Sequence, residues 1–232
     1  FVAALDKIDG MRCVLCLFEG VASGAADGYA RMAERPAATL LHLGPGLGNA
    51  LANLHNAKKA RSPIVNIVGE HATHHVQYNT PLTSDIAGIA APVSAWVRTS
   101  ERAEGVGRDG AKAIAAARMA PGQIATLILP ANTAWDDSDG PAVTPAIAGR
   151  ATVAEDAIAG AAKFLRSGEP TLLLLTGQAL YEHPLDLAGR IADPLGDGPD
   201  VDDFRGVLDL YQPDVVHFQS LQGLSRLQPI HH

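Results

Sequence analysis

Cysteine, positive charge and long hydrophobic runs are all scarce in this 232-residue sequence. The net charge of -7 argues against a nucleic-acid surface, since phosphate binding needs clustered lysine and arginine. No apolar run reaches the ~18 residues that suggest a membrane span. No signal peptide is visible, and the sequence opens at Phe1 without a methionine, which indicates a processed or partial chain.

The two cysteines, Cys13 and Cys16, lie in one strand-like run. Residues three apart on a strand face opposite sides, so we expect no disulfide between them. Their C-x-x-C spacing lacks the second pair of ligands that a zinc site needs. The sequence therefore predicts free thiols in a reducing compartment, the cytoplasm.

Short apolar runs alternate with helical patterns in the first part of the chain. The runs that predict buried strands are 12–18, 37–43, 63–69, 94–99 and 123–130. The helical patterns are 19–33, 47–60, about 84–90 and 101–120. This alternation predicts an α/β fold, with a parallel sheet covered by helices on both faces.

A stretch rich in proline, glycine and aspartate divides the chain. After it, Thr152 and Glu155 fit a capping box before an apolar helix over 154–166, and 171–177 is a further predicted strand. The prediction is thus a first domain, a linker, the start of a partial second α/β unit and a divergent tail, over residues 1–136, 137–150, 151–193 and 194–232.

Three glycines, Gly20, Gly24 and Gly28, share one face of the helix predicted over 19–33. Each glycine weakens a helix by up to ~1 kcal/mol relative to alanine, so this stripe needs a compensating reason. Small residues let another backbone approach closely. We therefore predict close packing against a second helix, with a subunit interface as one setting and a tight contact on the sheet of the same domain as the alternative.

Glu19 follows the first predicted strand, at the edge where open α/β sheets place their ligands. Leu15, Leu17 and Phe18 make the approach to it apolar. Such surroundings raise the pKa of a carboxyl group, which could then donate a hydrogen bond or carry a proton. The alternative is an acid placed at a helix start by the helix dipole.

A glycine-rich turn follows the second predicted strand. Gly44, Gly46 and Gly48 make it narrow enough for a ligand to touch the backbone, and Asn49 could cap the next helix or bind that ligand. The spacing differs from the dinucleotide pattern G-x-G-x-x-G, and Pro45 removes an amide donor.

Histidines lie close to the same edge of the predicted sheet. His42 directly precedes the glycine-rich turn, as either an active-site residue or a hydrogen-bonded core residue. His71, His74 and His75 form a polar loop after the third strand. No carboxylate or cysteine spacing supports a metal site there, so we expect this loop to border a substrate pocket.

The segments "FEGVASGAADGYARM", "LLHLGPGLGNALANLHNA" and "SPIVNIVGEH", in this order, resemble the pyrimidine-binding domain of thiamine-diphosphate-dependent enzymes of the acetolactate synthase type. The resemblance covers roughly 1–136, and 150–192 is similar to the start of that family's middle domain. It implies that Glu19 hydrogen-bonds the aminopyrimidine ring of the cofactor and drives it into its imino tautomer. It also implies that the turn bordering this ring is formed by Gly44, Pro45, Gly46 and Asn49.

The resemblance implies decarboxylation or carboligation of a 2-keto acid, and a role in branched-chain amino acid biosynthesis. It further implies a homodimer or homotetramer formed through the helix of Gly20, Gly24 and Gly28, with the cofactor between two chains.

In this family a second domain binds diphosphate and Mg²⁺ through a Gly-Asp-Gly signature and an asparagine. Here Gly196-Asp197-Gly198 follows no strand, so we expect a turn there and an inactive chain in isolation. Too little of the middle domain is present to predict flavin binding.

His42 also connects the sequence with benzoylformate decarboxylase, which "LHLGPGLGNA" and "APVSAWVRTSERAE" resemble. That resemblance implies a role for His42 in proton transfer and makes a benzoylformate-type decarboxylase the first alternative. A non-catalytic remnant or dimerising binding module is the second. A nucleotide-binding domain with Glu70 on the ribose is the third.

Overall fold

The computed structural model describes residues 2–5, 7–149, 152–169, 171–192 and 217–220. By its internal contacts the chain divides into two compact units, 1–148 and 149–232.

The first unit contains a four-stranded sheet. Its strands are β1 (Ala37–Leu41), β2 (Ile64–Glu70), β3 (Trp96–Thr99) and β4 (Ile124–Pro130). They lie in the order β1-β2-β4-β3, and every pair is parallel. The helices of this unit are α1 (Val2–Leu5), α2 (Glu19–Ala33), α3 (Leu43–Lys59), α4 (Ile86–Ala90) and α5 (Val106–Arg118). The predicted α/β fold is confirmed.

Helices cover both faces of the sheet, because the side chains of its central strands alternate between two cores. Ile64, Val68 and Ile128 pack in one core with α2, α3 and α4. Val65 and Leu127 point the other way and pack against α5. Both faces of the central strands are therefore apolar, which explains why these strands are continuous hydrophobic runs in the sequence.

A row of polar side chains crosses the first of these cores. The Thr39 hydroxyl donates to Asn66 Oδ1 over 2.7 Å, and Asn66 Nδ2 donates to the Thr126 hydroxyl over 3.2 Å. Thr126 also shares a hydrogen bond of 2.7 Å with the hydroxyl of Ser94. Thr39, Asn66 and Thr126 are register partners on β1, β2 and β4. The row therefore ties three neighbouring strands together in one alignment.

The strand predicted over 12–18 is wrong. Residues 11–16 are irregular, and Leu15 and Leu17 are 90% and 98% exposed. An apolar run forms a buried strand only where neighbouring elements cover it. In the described part of the chain, no strand pairs with the segment 12–18. Cys13 and Cys16 are free thiols in this irregular segment, so strand geometry does not separate them as we expected.

The third helix, α3, begins at Leu43, earlier than the predicted 47, and it absorbs the expected glycine-rich turn. The chain turns sharply because Leu43 has the left-handed backbone angle φ 54°. Pro45 is tolerated because the amides of the first helical turn have no partner within the helix.

The second unit contains α6 (Glu155–Leu165), β5 (Thr171–Leu174), α7 (Glu182–Ala192) and β6 (His217–Ser220), with β5 antiparallel to β6. Its apolar core includes Ile158, Leu187 and Ile191. The predicted capping box is wrong: Ala154 is the N-cap and makes no side-chain cap bond, and Thr152 lies too early in the chain. The turn expected at 196–198 and most of the predicted tail lie outside the described residues.

Candidate active site

Glu19 is the first residue of α2, not the last residue of a strand. The extended backbone of Phe18 (φ -154°) leads the chain into the helix at this point. A carboxylate in the first turn interacts favourably with the positive end of the helix dipole. Helix geometry therefore accounts for an acid at this position, while its side-chain contacts decide what it can do.

The Glu19 carboxylate lies against the beginning of α3. Asn49 Nδ2 donates a hydrogen bond of 3.1 Å to Glu19 Oε2, across 30 residues of sequence. On the other side, a Cβ atom on Gly46 would lie 3.3 Å from Glu19 Oε1. Glycine at this position therefore leaves the carboxylate room beside the backbone of α3. The structure thus brings together Glu19, Gly46 and Asn49, three of the residues singled out from the sequence.

His42 lies at the corner between β1 and α3, where it is the N-cap of the helix. Its side chain is exposed, and its charge is near enough to Glu19 to lower the pKa of that carboxyl. The next residue, Leu43, is buried in spite of its left-handed backbone. Strained residues of this kind concentrate at functional sites. The sharp turn at Leu43 takes the chain from β1 into α3, and His42 lies at this exposed corner, beside the carboxylate.

The pKa of Glu19 is lowered, opposite to our expectation. The hydrogen bond from Asn49 is the largest cause, followed by a hydrogen bond from its own backbone amide. Desolvation acts in the opposite direction, and His42 lowers the pKa further. The expected apolar surroundings are absent from the described structure because Leu15 and Leu17 point into solvent. In this chain Glu19 is therefore an ionised carboxylate at neutral pH.

Gly44 and Pro45 occupy the first turn of α3, next to Gly46. Gly44 is buried, and a Cβ on it would overlap the side chain of Ser84. Glycine therefore allows the loop before α4 to pack against the start of α3. Pro45 is exposed. Their placement beside a cofactor ring stays a prediction.

The histidines after β2 contact one another rather than Glu19. The ring centroids of His71 and His75 are 5.9 Å apart, and those of His74 and His75 are 6.5 Å apart. His71 Nε2 is 3.0 Å from the Thr80 hydroxyl. Among the described residues, no group of three or more histidine, cysteine, aspartate or glutamate side chains could hold a metal ion. The role of this loop in a substrate pocket stays a prediction.

The glycine stripe of α2 packs partly on α3 of the same chain. A Cβ on Gly24 would lie 3.3 Å from Asn53 Nδ2, and Asn53 donates to the carbonyl oxygen of Gly20 over 2.5 Å. Gly28 faces open space. The predicted close approach of a second helix is thus found within the chain, at Gly20 and Gly24 only.

Two residues that hold this region were not predicted from the sequence: Asn53 and Ser23. Ser23 is fully buried, and its hydroxyl donates to the carbonyl oxygen of Glu19 over 2.9 Å. Asn53 could have been found, because it lies one helical turn after Asn49 and therefore on the same face of α3. Ser23 gave no signal among the small residues around it.

Comparison with known proteins identifies the family to which this α/β domain is similar. Residues 1–89 match the model of the family "thiamine pyrophosphate enzyme, N-terminal TPP binding domain". The "Putative acetolactate synthase large subunit IlvX" of Mycobacterium tuberculosis is 56% identical over 197 residues, which are 84% of this chain and 38% of that protein. Benzoylformate decarboxylase of Pseudomonas aeruginosa is 32% identical over 199 residues, 85% of this chain and 34% of that enzyme.

A solved structure is also similar. The thiamine-diphosphate-dependent 4-hydroxybenzoylformate decarboxylase of Rhodococcus jostii RHA1 superposes with a TM-score of 0.63 at 25% identity, over 69% of this chain and 31% of that one. The fold and these matches thus define an α/β domain of the thiamine-diphosphate-dependent class. The chain belongs to the thiamine-diphosphate-dependent enzymes related to acetolactate synthase and benzoylformate decarboxylase. It spans little more than a third of the length of these two sequence relatives.

Proposed function

We propose that this chain carries the pyrimidine-binding part of a thiamine-diphosphate-dependent 2-keto-acid carboligase or decarboxylase of the acetolactate synthase type. The observation that carries the proposal is the Glu19 carboxylate, held by Asn49 beside the backbone of Gly46. All three residues lie within the segment that matches the family, and the relative at 56% identity bears an acetolactate synthase name.

The side chains of this site fit an aminopyrimidine ring. When it is protonated, the Glu19 carboxyl can donate a hydrogen bond to a ring nitrogen, and the carboxylate can accept a hydrogen bond from that nitrogen once the proton lies on the ring. Asn49 donates to one carboxylate oxygen, and glycine at position 46 leaves room for the other oxygen beside the backbone of α3. When it is bound, thiamine diphosphate supplies the electron sink for the loss of carbon dioxide from a 2-keto acid.

The same proposal includes the domains and the metal expected from the sequence. Residues 1–136 would form the pyrimidine-binding domain and 151–193 the start of a middle domain, in a cytoplasmic enzyme of branched-chain amino acid biosynthesis. Mg²⁺ would enter with the diphosphate group, since hard cations prefer oxygen ligands. No described cluster of acidic or histidine side chains offers it a site in this chain.

A second copy of this chain is the proposed partner. The outward side of α2 carries the exposed residues Val21, Ala25, Gly28 and Met32, at helical spacing. Gly20 and Gly24 are already engaged by α3, so the interface would use Gly28 and its outward neighbours rather than the whole glycine stripe. An exposed apolar stripe of this kind is typical of a protein-protein contact.

A benzoylformate-type decarboxylase is the second candidate, and His42 favours it. The imidazole is exposed at the corner next to Glu19, where it could exchange protons with a substrate. The relative at 32% identity bears that name. Substituting His42 by alanine in the whole enzyme separates the candidates. A large loss of 2-keto-acid turnover favours the benzoylformate type. Retained formation of acetolactate favours the first proposal.

Titration with thiamine diphosphate and Mg²⁺ tests the proposed site. We expect the wild-type chain to bind, and Glu19→Gln to weaken binding by about tenfold, since it loses a hydrogen bond to a charged group. Glu34→Gln is the matched control, because it removes the same charge at the other end of α2. Circular dichroism verifies that the variants are folded. Absence of binding to the folded wild-type chain, or equal binding by Glu19→Gln, would contradict the proposal.

A further inference from the structure

Two asparagines on successive turns of α3 face the first turn of α2. Asn49 donates to the side chain of Glu19, and Asn53 donates to the backbone carbonyl of Gly20 over 2.5 Å. Gly20 is buried and directly follows Glu19. The second asparagine therefore fixes the backbone on which the carboxylate is mounted, while the first fixes the carboxylate itself.

The contact of Asn53 depends on the small residues around it. A Cβ atom added at Gly24 would lie only 3.3 Å from Asn53 Nδ2, so a larger residue at this position would press on the amide. On the buried side of the same turn, the Ser23 hydroxyl has the carbonyl oxygens of Glu19, Gly20 and Ala50 within 2.9, 3.2 and 3.4 Å. The first turn of α2 is thus held from two directions.

We propose that Asn53 is a positioning residue that keeps the first turn of α2 against α3 and so holds the Glu19 carboxylate at Asn49. Its importance for a reaction rests on the proposed function, whereas its effect on Glu19 does not. Without the amide, the Gly20 carbonyl loses a part-buried partner, and the turn is held less firmly against α3 because the contact of Ser23 with Ala50 then has to hold it without Asn53. A shift of that kind separates Glu19 from Asn49. A small displacement of a catalytic group lowers the rate of a reaction steeply.

The pKa of Glu19 in the chain without cofactor tests this proposal. The side-chain carboxyl of Glu19 is followed through a pH titration by carbon-13 NMR, in wild type, Asn53→Ala and Asn56→Ala. We expect the pKa of Glu19 to rise in Asn53→Ala, because the hydrogen bond from Asn49 is what mainly lowers it. Asn56 is an exposed asparagine of the same helix, so Asn56→Ala should leave the titration unchanged.

Asn53→Leu serves as a second variant, since leucine keeps the branched shape of asparagine, with methyl groups in place of the amide oxygen and nitrogen, but donates no hydrogen bond. It should raise the pKa of Glu19 as well, and it keeps the test valid if Asn53→Ala does not fold. A wild-type titration curve in a folded Asn53 variant would overturn the proposal. Because the measurement uses no thiamine diphosphate, this outcome is distinguishable from a failure of the proposed function, which the cofactor titration reports.

Discussion

The protonation state of Glu19 is set by its immediate neighbours. Hydrogen bonds from Asn49 and from its own backbone favour the charged form, as does the nearby His42, and partial desolvation opposes them. The sequence analysis singled out both Glu19 and Asn49, but it did not predict the hydrogen bond between them, and it gave the wrong sign for the pKa shift of Glu19. The sign depends on where Leu15 and Leu17 point, and an apolar residue next to an acid in sequence need not touch it in space.

Removing the Asn49 amide should raise the pKa of Glu19, because the largest cause of its lowered value is lost. A lowered pKa in the folded chain stabilises the fold above the pKa that Glu19 has in the unfolded chain, and this contribution disappears as the pH falls through the folded-state pKa. Asn49→Ala should therefore be less stable than wild type at neutral pH, by a difference that narrows in acid. Urea unfolding at several pH values measures it, with Asn56→Ala as the control. A difference independent of pH would contradict this linkage.

Cofactor binding should be accompanied by proton uptake. A bound aminopyrimidine ring would shield Glu19 from water, and desolvation raises the pKa of a carboxyl group. The uptake should be largest at a pH between the free and bound pKa values of this residue. Calorimetric titration in two buffers of different ionisation enthalpy measures the number of protons. Glu19→Gln cannot take up this proton, so equal uptake by wild type and this variant would assign the proton to another group.

The pair of helices α2 and α3 forms the support of the site. The sequence predicted the bounds of α2 because its apolar and small residues keep a clear helical period. It missed the first turn of α3, since only the left-handed backbone of Leu43 allows a helix to begin immediately after β1. Periodicity reports which residues favour a helix, but it does not report how sharply the chain can turn into one.

The polar row across the sheet should be important for stability. Asn66→Leu removes a fully buried amide and leaves the Thr39 hydroxyl without its acceptor, whereas Thr126 retains Ser94. We expect a loss of about 1–3 kcal/mol in the free energy of unfolding, the usual penalty for a buried polar group that loses its partner. Urea denaturation measures this, with Asn56→Leu on the exposed side of α3 as the control, expected within about 0.5 kcal/mol of wild type. A midpoint unchanged by Asn66→Leu would show that the row contributes nothing.

Across the whole molecule, the apolar surface is unevenly distributed. The sheet and α3 bury most of their hydrophobic side chains, whereas α2 exposes Val21 and Met32, and the preceding segment exposes Leu15, Leu17 and Phe18. Burial of apolar surface is the main driving force of association, so a partner would bury the most apolar surface on this side of the first unit.

In the described part of the chain, no helix combines the length and the apolar character that a membrane span needs.

If a second copy covers the outward face of α2, a charge placed there should prevent association. Val21→Glu introduces a carboxylate at the first residue of the exposed stripe, where burial without a partner is costly. We expect light scattering after size exclusion to give a dimer for wild type and a monomer for Val21→Glu. Val143→Glu is the matched control, because this valine is 92% exposed and belongs to the irregular segment that follows β4 in the sequence, not to α2. A monomeric wild-type chain, or a dimer that survives Val21→Glu, would show that α2 does not form the interface.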